Sequence, residues 1–600
     1  MNTHLLGIFS FAILSAGLLP TELAAEDNMT FCNPLNLDYG AGGLGSPETY
    51  REAADPVIVL FKDKYYLFAT RDRGGYRMSD DLVSWTDIPF CDDAINTTAF
   101  TLRQHYVAPA VAADDNYIYF INFNTKESPA DIIRSDSPET GRWEKCGEVR
   151  VTADPHLFID NGRYFIYHGL GDAAKCFELD PVSMTEIKGS EVLIRPAIKD
   201  LTVCPGYNFG QNEIQRQLEI GDLKYKVTKT PCPEGSWVIK NGDKYYFQFA
   251  TPGTASQWYC DAVMTSDSPT GPFTLEPYNP ISLNVGDFAG GAGHSCVFRD
   301  KYGNVWQAST MWVGKRTGFE RRIGLFPVKF DDKGRMNVYT RFGEYPQIIP
   351  QHRFDPDKQY LAGWNLLSNG KSRTASGSID GHTPEMAADE CIRTWWSAPT
   401  GNEGEWFQMD LGAVKRINAI QVNFTEQDAI ASDNLDDDYN AYRLYTSKDG
   451  KKWKLTADRS VNRKGALHDY IQLKKPVKAR YIKIENVHMP KQGKFALSDL
   501  RVFGHGGGKA PAVVSGVKAV RDNTDDRYST VTWGASKDAD GYVVTFGYRP
   551  DYLNQSIMIK DPAKTSLDIH ILTPGEKYYY RVDAYNENGV TEGNDIVADL

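Results

Sequence analysis

Six hundred residues exceed what one hydrophobic core serves, so three or four domains are the expectation. With 78 acidic against 66 basic side chains, the net charge of −12 argues against nucleic acid or an anionic membrane surface as partner and leaves a neutral or weakly charged one. Aromatic residues make up 12%, with 33 tyrosines foremost, which suits β architecture and contact with sugar rings.

Residues 1–25 carry an apolar run from Leu5 to Leu19 and then Leu23-Ala24-Ala25. The run is short for a membrane span and ends in small residues, so it reads as an export signal, although its start lacks Lys and Arg. No cysteine sits at the cleavage point, so a lipid anchor is not expected there, and no other stretch is long enough to span a bilayer. The expectation is an exported, soluble chain. The nine cysteines lie mostly in the first half, without a C-x-x-C pair for zinc or redox work. They are expected to be buried small hydrophobes with one or two bridges.

Residues 35–50 are Gly-rich and polar, a lead-in. The stretch ADPVIVLFKDKYYLFAT (54–70) follows, with Val57, Val59 and Phe61, then Tyr65, Leu67 and Ala69, alternating around a polar turn, which is a β-hairpin pattern. It recurs as APAVAADDNYIYFINF from Ala108, DPHLFIDNGRYFIYHG from Asp154, EGSWVIKNGDKYYFQFA from Glu234 and HSCVFRDKYGNVWQAST from His294. Five such units predict an all-β, five-bladed β-propeller over residues 32–349. Asp55, Asp154 and Glu234 each stand just before an inner strand, so their side chains are expected to converge on the axis. Ser-Asp turns precede outer strands at Asp80, Asp136 and Asp267, and these acids are expected to form turns.

Residues 346–357 (PQIIPQHRFDPD) read as a linker. The segment 358–505, with RTWW (393–396), GEWFQMDLG, YRLYTSKDGKKW and LSDLRVFG, resembles the discoidin-like, coagulation-factor type C domains, jelly-roll β-sandwiches that include carbohydrate-binding modules. Trp395, Trp396 and Trp406 are either a sugar platform or core. The acidic run 433–438 is either a calcium loop or solvated. Gly506 to Gly508 read as a flexible hinge. Residues 511–600, with Trp533, Leu572, Pro574 and Tyr578 at sandwich spacing, resemble fibronectin type III, an immunoglobulin-like β-sandwich expected to act as a separable spacer.

The propeller motifs ADP (54–56), DP (154–155), EG (234–235), YVAPAV (106–111), SDSPTGPF (266–273), GAGHS (291–295) and RRIGLFPVKFDDKG (321–334) together resemble glycoside hydrolase family 43. The resemblance implies an inverting glycosidase with Asp55 as general base, Glu234 as general acid and Asp154 keeping Glu234 protonated. It places Arg321 against sugar hydroxyls and His294 near the axis, where a water-bridged structural Ca²⁺ is the associated ion; the chemistry itself requires no cofactor. Tyr106, Trp237 and Trp258 are candidate stacking walls, or else core aromatics. His156 and His168 read as structural. EGSW replaces the more usual EGP, which bears on substrate identity.

These readings lead to an exported, exo-acting hydrolase of polysaccharide or oligosaccharide side chains, foremost an α-L-arabinofuranosidase, with β-xylosidase or exo-galactosidase as alternatives. Exo action rests on the long insertion at 200–230. The competing classes are a non-catalytic carbohydrate-binding propeller and a glycoside phosphorylase. The phosphorylase needs a phosphate-binding cluster, which these motifs lack, and a dead site has no need of both Asp55 and Glu234.

Overall fold

The structure is a computed structural model of the chain, and it describes residues 28–42, 50–70, 74–91, 106–123, 129–169, 171, 173–195, 232–286, 288–430, 437–569, 571–573 and 575–599. The expected export signal, the 200–230 insertion, most of the 433–438 run and Pro574 lie outside the described residues.

The first domain contains five four-stranded antiparallel sheets, each built from strands consecutive in the chain. Their first strands are β1 (Ala54–Phe61), β2 (Val107–Ala113), β3 (His156–Asp160), β4 (Glu234–Asn241) and β5 (Gly290–Arg299). Each first strand touches the next, and β5 returns to β1, so the five close into a ring around one axis. The hairpins follow from local sequence. Lys62 and Asp63 both take positive φ between β1 and its partner, as do Asn161 and Gly162 after β3, the geometry that two-residue hairpin turns require. In the Ser-Asp turns it is the serine that closes the turn: the hydroxyls of Ser79, Ser135 and Ser266 accept backbone N–H groups two or three residues on, while Asp80, Asp136 and Asp267 face solvent.

The region expected to be a linker belongs to this fold. Gln347–Ile349 pairs antiparallel with Met29–Phe31, and Lys329 holds both Asp355 and Asp357. The second domain is a sandwich whose two longest strands, Trp406–Phe424 and His468–His488, run side by side. The third has a three-stranded and a five-stranded sheet, with the backbone N–H of Thr573 donating to the Tyr578 hydroxyl.

The three domains are fastened together, contrary to the expected flexible hinge and separable spacer. Gly506 and Gly508 donate their N–H groups to Glu587 O and Asn588 Oδ1. Arg501, fully buried, bridges Glu390 in its own domain and the Glu344 carbonyl of the propeller. Met558 of the third domain donates its N–H to Val285 O of the propeller at 2.9 Å. Arg51, Lys315 and Arg322 of the propeller reach Glu426, Thr425 and His468 of the second domain. Eight of the nine cysteines are described, and all eight are free thiols, so no bridge is formed among them.

Candidate active site

At or near the start of each first strand the chain takes a left-handed residue: Asp55 (φ 51°), Ala108 (43°), Asp154 (53°, just before β3), Gly235 (65°) and His294 (46°), with a second one in β5 at Gly291 (78°). In β1, β2, β4 and β5 the ladder register shifts across this residue, so each is a bulge that turns backbone and side chain toward the axis. Left-handed geometry costs a non-glycine residue roughly 1–2 kcal/mol, and it persists where surrounding bonds fix it. Here the inward N–H groups are held: Asp55 N–H by Thr310 Oγ1, Ala108 N–H by Thr70 Oγ1 and Gly235 N–H by Asp154 Oδ2. The equivalent positions therefore hold Asp, Ala, Asp, Gly and His. Glu234 stands one residue before its bulge, so the acids of the third and fourth units are offset by one, not strictly equivalent as the repeat suggests.

Asp55 is buried, and its carboxylate accepts a hydrogen bond from Thr70 Oγ1 at 2.5 Å. The His294 ring Nδ1 lies 3.1 Å from Oδ1, and Arg321 Nη1 lies 3.5 Å from the same oxygen. Burial alone would raise its pKa, but the charges of His294 and Arg321, with the Thr70 and Thr310 hydroxyls, outweigh it and hold the group below the ordinary carboxylate range. Asp55 stays ionised.

Glu234 is pushed the other way, up to about 7. Desolvation is the main cause, and the negative charge of Asp154 adds to it, against the opposing pull of His294 and of a hydrogen bond from Tyr259. Asp154 is itself raised, chiefly by burial, and His294 offsets part of that. Two neighbouring carboxyls are thus pushed in opposite directions, Asp55 toward the ionised form and Glu234 toward keeping its proton up to about neutral pH, the division of labour that acid–base chemistry needs.

His294 lies between Asp55 and Asp154, and burial is overcome by these carboxylates, which raise its pKa and favour the imidazolium. Arg321 reaches Thr254 Oγ1 at 3.2 Å and faces Glu52 at 3.9 Å, with its guanidinium over the half-exposed Phe319 ring. Among the described residues no three His, Cys, Asp or Glu side chains are grouped to hold a metal directly, and the His294 Nδ1 faces Asp55.

The three candidate stacking walls are core residues. Tyr106 is 1% exposed and donates its hydroxyl to Gly75 O. Trp237 donates to Val297 O and lies against His156, between neighbouring sheets. Trp258 belongs to the apolar cluster with Leu283, Val285 and Ile557 of the third domain. In the second domain Trp396 is fully buried, and Trp395 is capped by Lys315 and Arg316 of the propeller, so neither offers a platform. Asp438 is not solvated but paired with Arg51. The sequence reading missed Thr70, Thr310 and Tyr259. The first two stand opposite Ala54 and Gly293, the residues just before a bulge, in their hairpins, so strand pairing alone could have found them.

Residues 47–336 match glycosyl hydrolases family 43, residues 372–499 the F5/8 type C domain and residues 511–598 the fibronectin type III domain. The chain is 26% identical over 273 residues to the β-D-galactofuranosidase xynD of Aspergillus niger, covering 41% of this chain and 69% of that one. It is 25% identical over 245 residues to the xylan 1,3-β-xylosidase of a Vibrio species, covering 38% of this chain and only 41% of that one. Among solved structures it is similar to the GH43 protein BlXynB of Bacillus licheniformis, with 16% identity, a TM-score of 0.40, and coverage of 78% of this chain and all of that one. The ring carrying Asp55, Asp154 and Glu234 is a family 43 glycosyl hydrolase domain, an inverting hydrolase of O-glycosyl bonds, followed by a discoidin-like and a fibronectin type III domain.

Proposed function

We propose that the chain is an exported, exo-acting α-L-arabinofuranosidase that trims side-chain or terminal residues of plant-type polysaccharides. The observation that carries the catalytic reading is the opposite displacement of Asp55 and Glu234. Asp55 takes a proton from water as the water oxygen attacks the anomeric carbon. Glu234 gives its proton to the glycosidic oxygen as the anomeric C–O bond breaks. Attack from the face opposite the leaving group inverts the anomeric centre. Asp154 keeps Glu234 protonated, and Arg321 and His294 hold Asp55 ionised and take sugar hydroxyls at the same time. A non-catalytic binding propeller gives no reason for that division.

The choice of a furanoside is supported by the named activity of the Aspergillus relative. A β-D-galactofuranoside has the ring configuration of an α-L-arabinofuranoside with a longer exocyclic arm. The Vibrio relative's name makes β-xyloside the second candidate. Export is supported by the apolar run at residues 5–19. The test is a panel of aryl α-L-arabinofuranoside, β-D-galactofuranoside and β-D-xylopyranoside, with the first-formed anomer read by proton NMR. Turnover of the arabinofuranoside with inversion is expected. Preference for either other sugar replaces the substrate, and initial retention removes the role assignments.

A further inference from the structure

We infer that Tyr259 is a positioning residue for the general acid: its hydroxyl fixes Glu234 Oε1 as the acceptor oxygen, so that the transferable proton sits on Oε2. The proposal rests on the reading of Glu234 as the acid. Tyr259 is 0% exposed, and its O–H donates to Glu234 Oε1 at 2.5 Å. A protonated carboxyl has one carbonyl oxygen, which accepts, and one hydroxyl, which donates. A fixed donor at Oε1 therefore assigns the proton to the other oxygen, the one that remains to face a glycosidic oxygen.

The tyrosine is held for this purpose from three sides. Its N–H donates to Ser256 O at 3.1 Å, and its own carbonyl accepts from Ala292 N–H at 2.7 Å. Its ring lies flat against the fifth bulge, where a Cβ on Gly293 would come within 2.8 Å of the ring, so glycine is required there. The ring thus joins the loop before strand Cys260–Ser266 to the strand that carries His294. The charged and titratable groups that face Glu234 are Asp154 from the third unit, Asp55 and Arg321 from the first and fifth, His294 from the fifth, and Cys232 two residues earlier. Besides these, Tyr259 holds one chosen oxygen by a hydrogen bond.

The Tyr259→Phe enzyme tests this with a natural glycoside and with an aryl glycoside of an acidic phenol. Loss of the donor removes a bond that favours the ionised acid, so the alkaline limb of kcat/KM should move to higher pH. The natural glycoside should lose about ten- to a hundredfold, a part of the ~10²–10⁴ of general acid catalysis, and the acidic phenol much less. Replacement of Tyr259 by 3,5-difluorotyrosine, a stronger donor of the same shape, should move the limb the other way and keeps the test available where the Phe variant does not fold. An unmoved limb, or equal losses on both substrates, overturns the inference. The Glu234→Gln enzyme separates the two claims. If it shows leaving-group dependence and Tyr259→Phe does not, only the tyrosine's role falls. If Glu234→Gln shows none, the acid assignment falls with it.

Discussion

The Gly235 N–H donates to Asp154 Oδ2 at 3.0 Å, joining the left-handed residue before the third inner strand to the residue that follows the proposed acid. Asp154 therefore does two things to Glu234. It fixes the backbone next to it and places a negative charge beside it that raises its pKa. Asn at this position keeps an oxygen for the Gly235 N–H and removes only the charge.

Asp154→Asn is expected to lower the pKa of Glu234, so the alkaline limb of kcat/KM, set near pH 7 in the parent, moves to lower pH. At pH 7 a natural glycoside should be turned over more slowly, within the ~10²–10⁴ range of general acid catalysis, and an acidic phenol leaving group should recover most of the loss. A pH–rate profile on both substrates decides it. A limb that stays in place would separate Asp154 from proton control.

His294 gives the opposite sign. Its positive charge lowers both Asp55 and Glu234. His294→Gln should raise both, so the acidic and alkaline limbs move up together and the whole bell shifts to higher pH. If only one limb moves, the imidazolium does not serve both carboxyls.

The propeller and two of its acids were legible because the pattern is local: an Asp-Pro, a β-branched run, a two-residue turn and an aromatic run repeat within single hairpins. The bulge explains why the same pattern was slightly misleading at Glu234, since Gly235 takes the left-handed position and the acid precedes it. Trp237 and Trp258 were left open between wall and core for a different reason. Alternation says which face of a strand a residue occupies, and both faces of a blade are buried between neighbours. Tyr259 was missed because a loop, not strand register, brings it to Glu234. The docking of the domains was the least legible, since Arg51 meets Glu426 and Asp438 across 375 and 387 positions of chain. Linker-like composition at residues 506–508 says nothing of such pairs.

Thr70 offers a test of how the base is held. Its hydroxyl donates to Asp55 Oδ2 and accepts the N–H of Ala108, so one side chain fastens two adjacent bulges. Thr70→Val preserves the shape but leaves a buried N–H unpaired, at a stability cost of about 1–3 kcal/mol. The acidic limb should rise, because the hydroxyl also lowers the Asp55 pKa. Turnover should fall alike for good and poor leaving groups, since water must be activated whichever group departs. A loss that tracks the leaving group would contradict the assignment of Asp55 as base.

The third domain, expected to be a spacer, is docked on the propeller. Its strand Gln555–Ile559 lies against the propeller segment that leads into β5: Met558 N–H is bonded to Val285 O, and a Cβ on Gly286 would overlap Met558 O. Ile557 shares an apolar cluster with Val285, Leu283 and Trp258, the neighbour of Tyr259. Arg335 lies 3.8 Å from the centroid of the Tyr552 ring, and Arg341 pairs with the fully buried Asp583. Ending the chain after Gly508 would expose Trp258, Leu283 and Val285, and each fully buried side chain of this kind is worth about 1.5–3 kcal/mol. The shortened protein should either fail to accumulate in soluble form or unfold at a lower temperature, by roughly 2–4 °C for each kcal/mol lost. Its turnover of an aryl glycoside should fall as well, because the loop that carries Tyr259 loses its support. Thermal unfolding and turnover of the full and shortened chains decide it. A shortened enzyme with the parent midpoint and the parent kcat would restore the domain to the role of spacer.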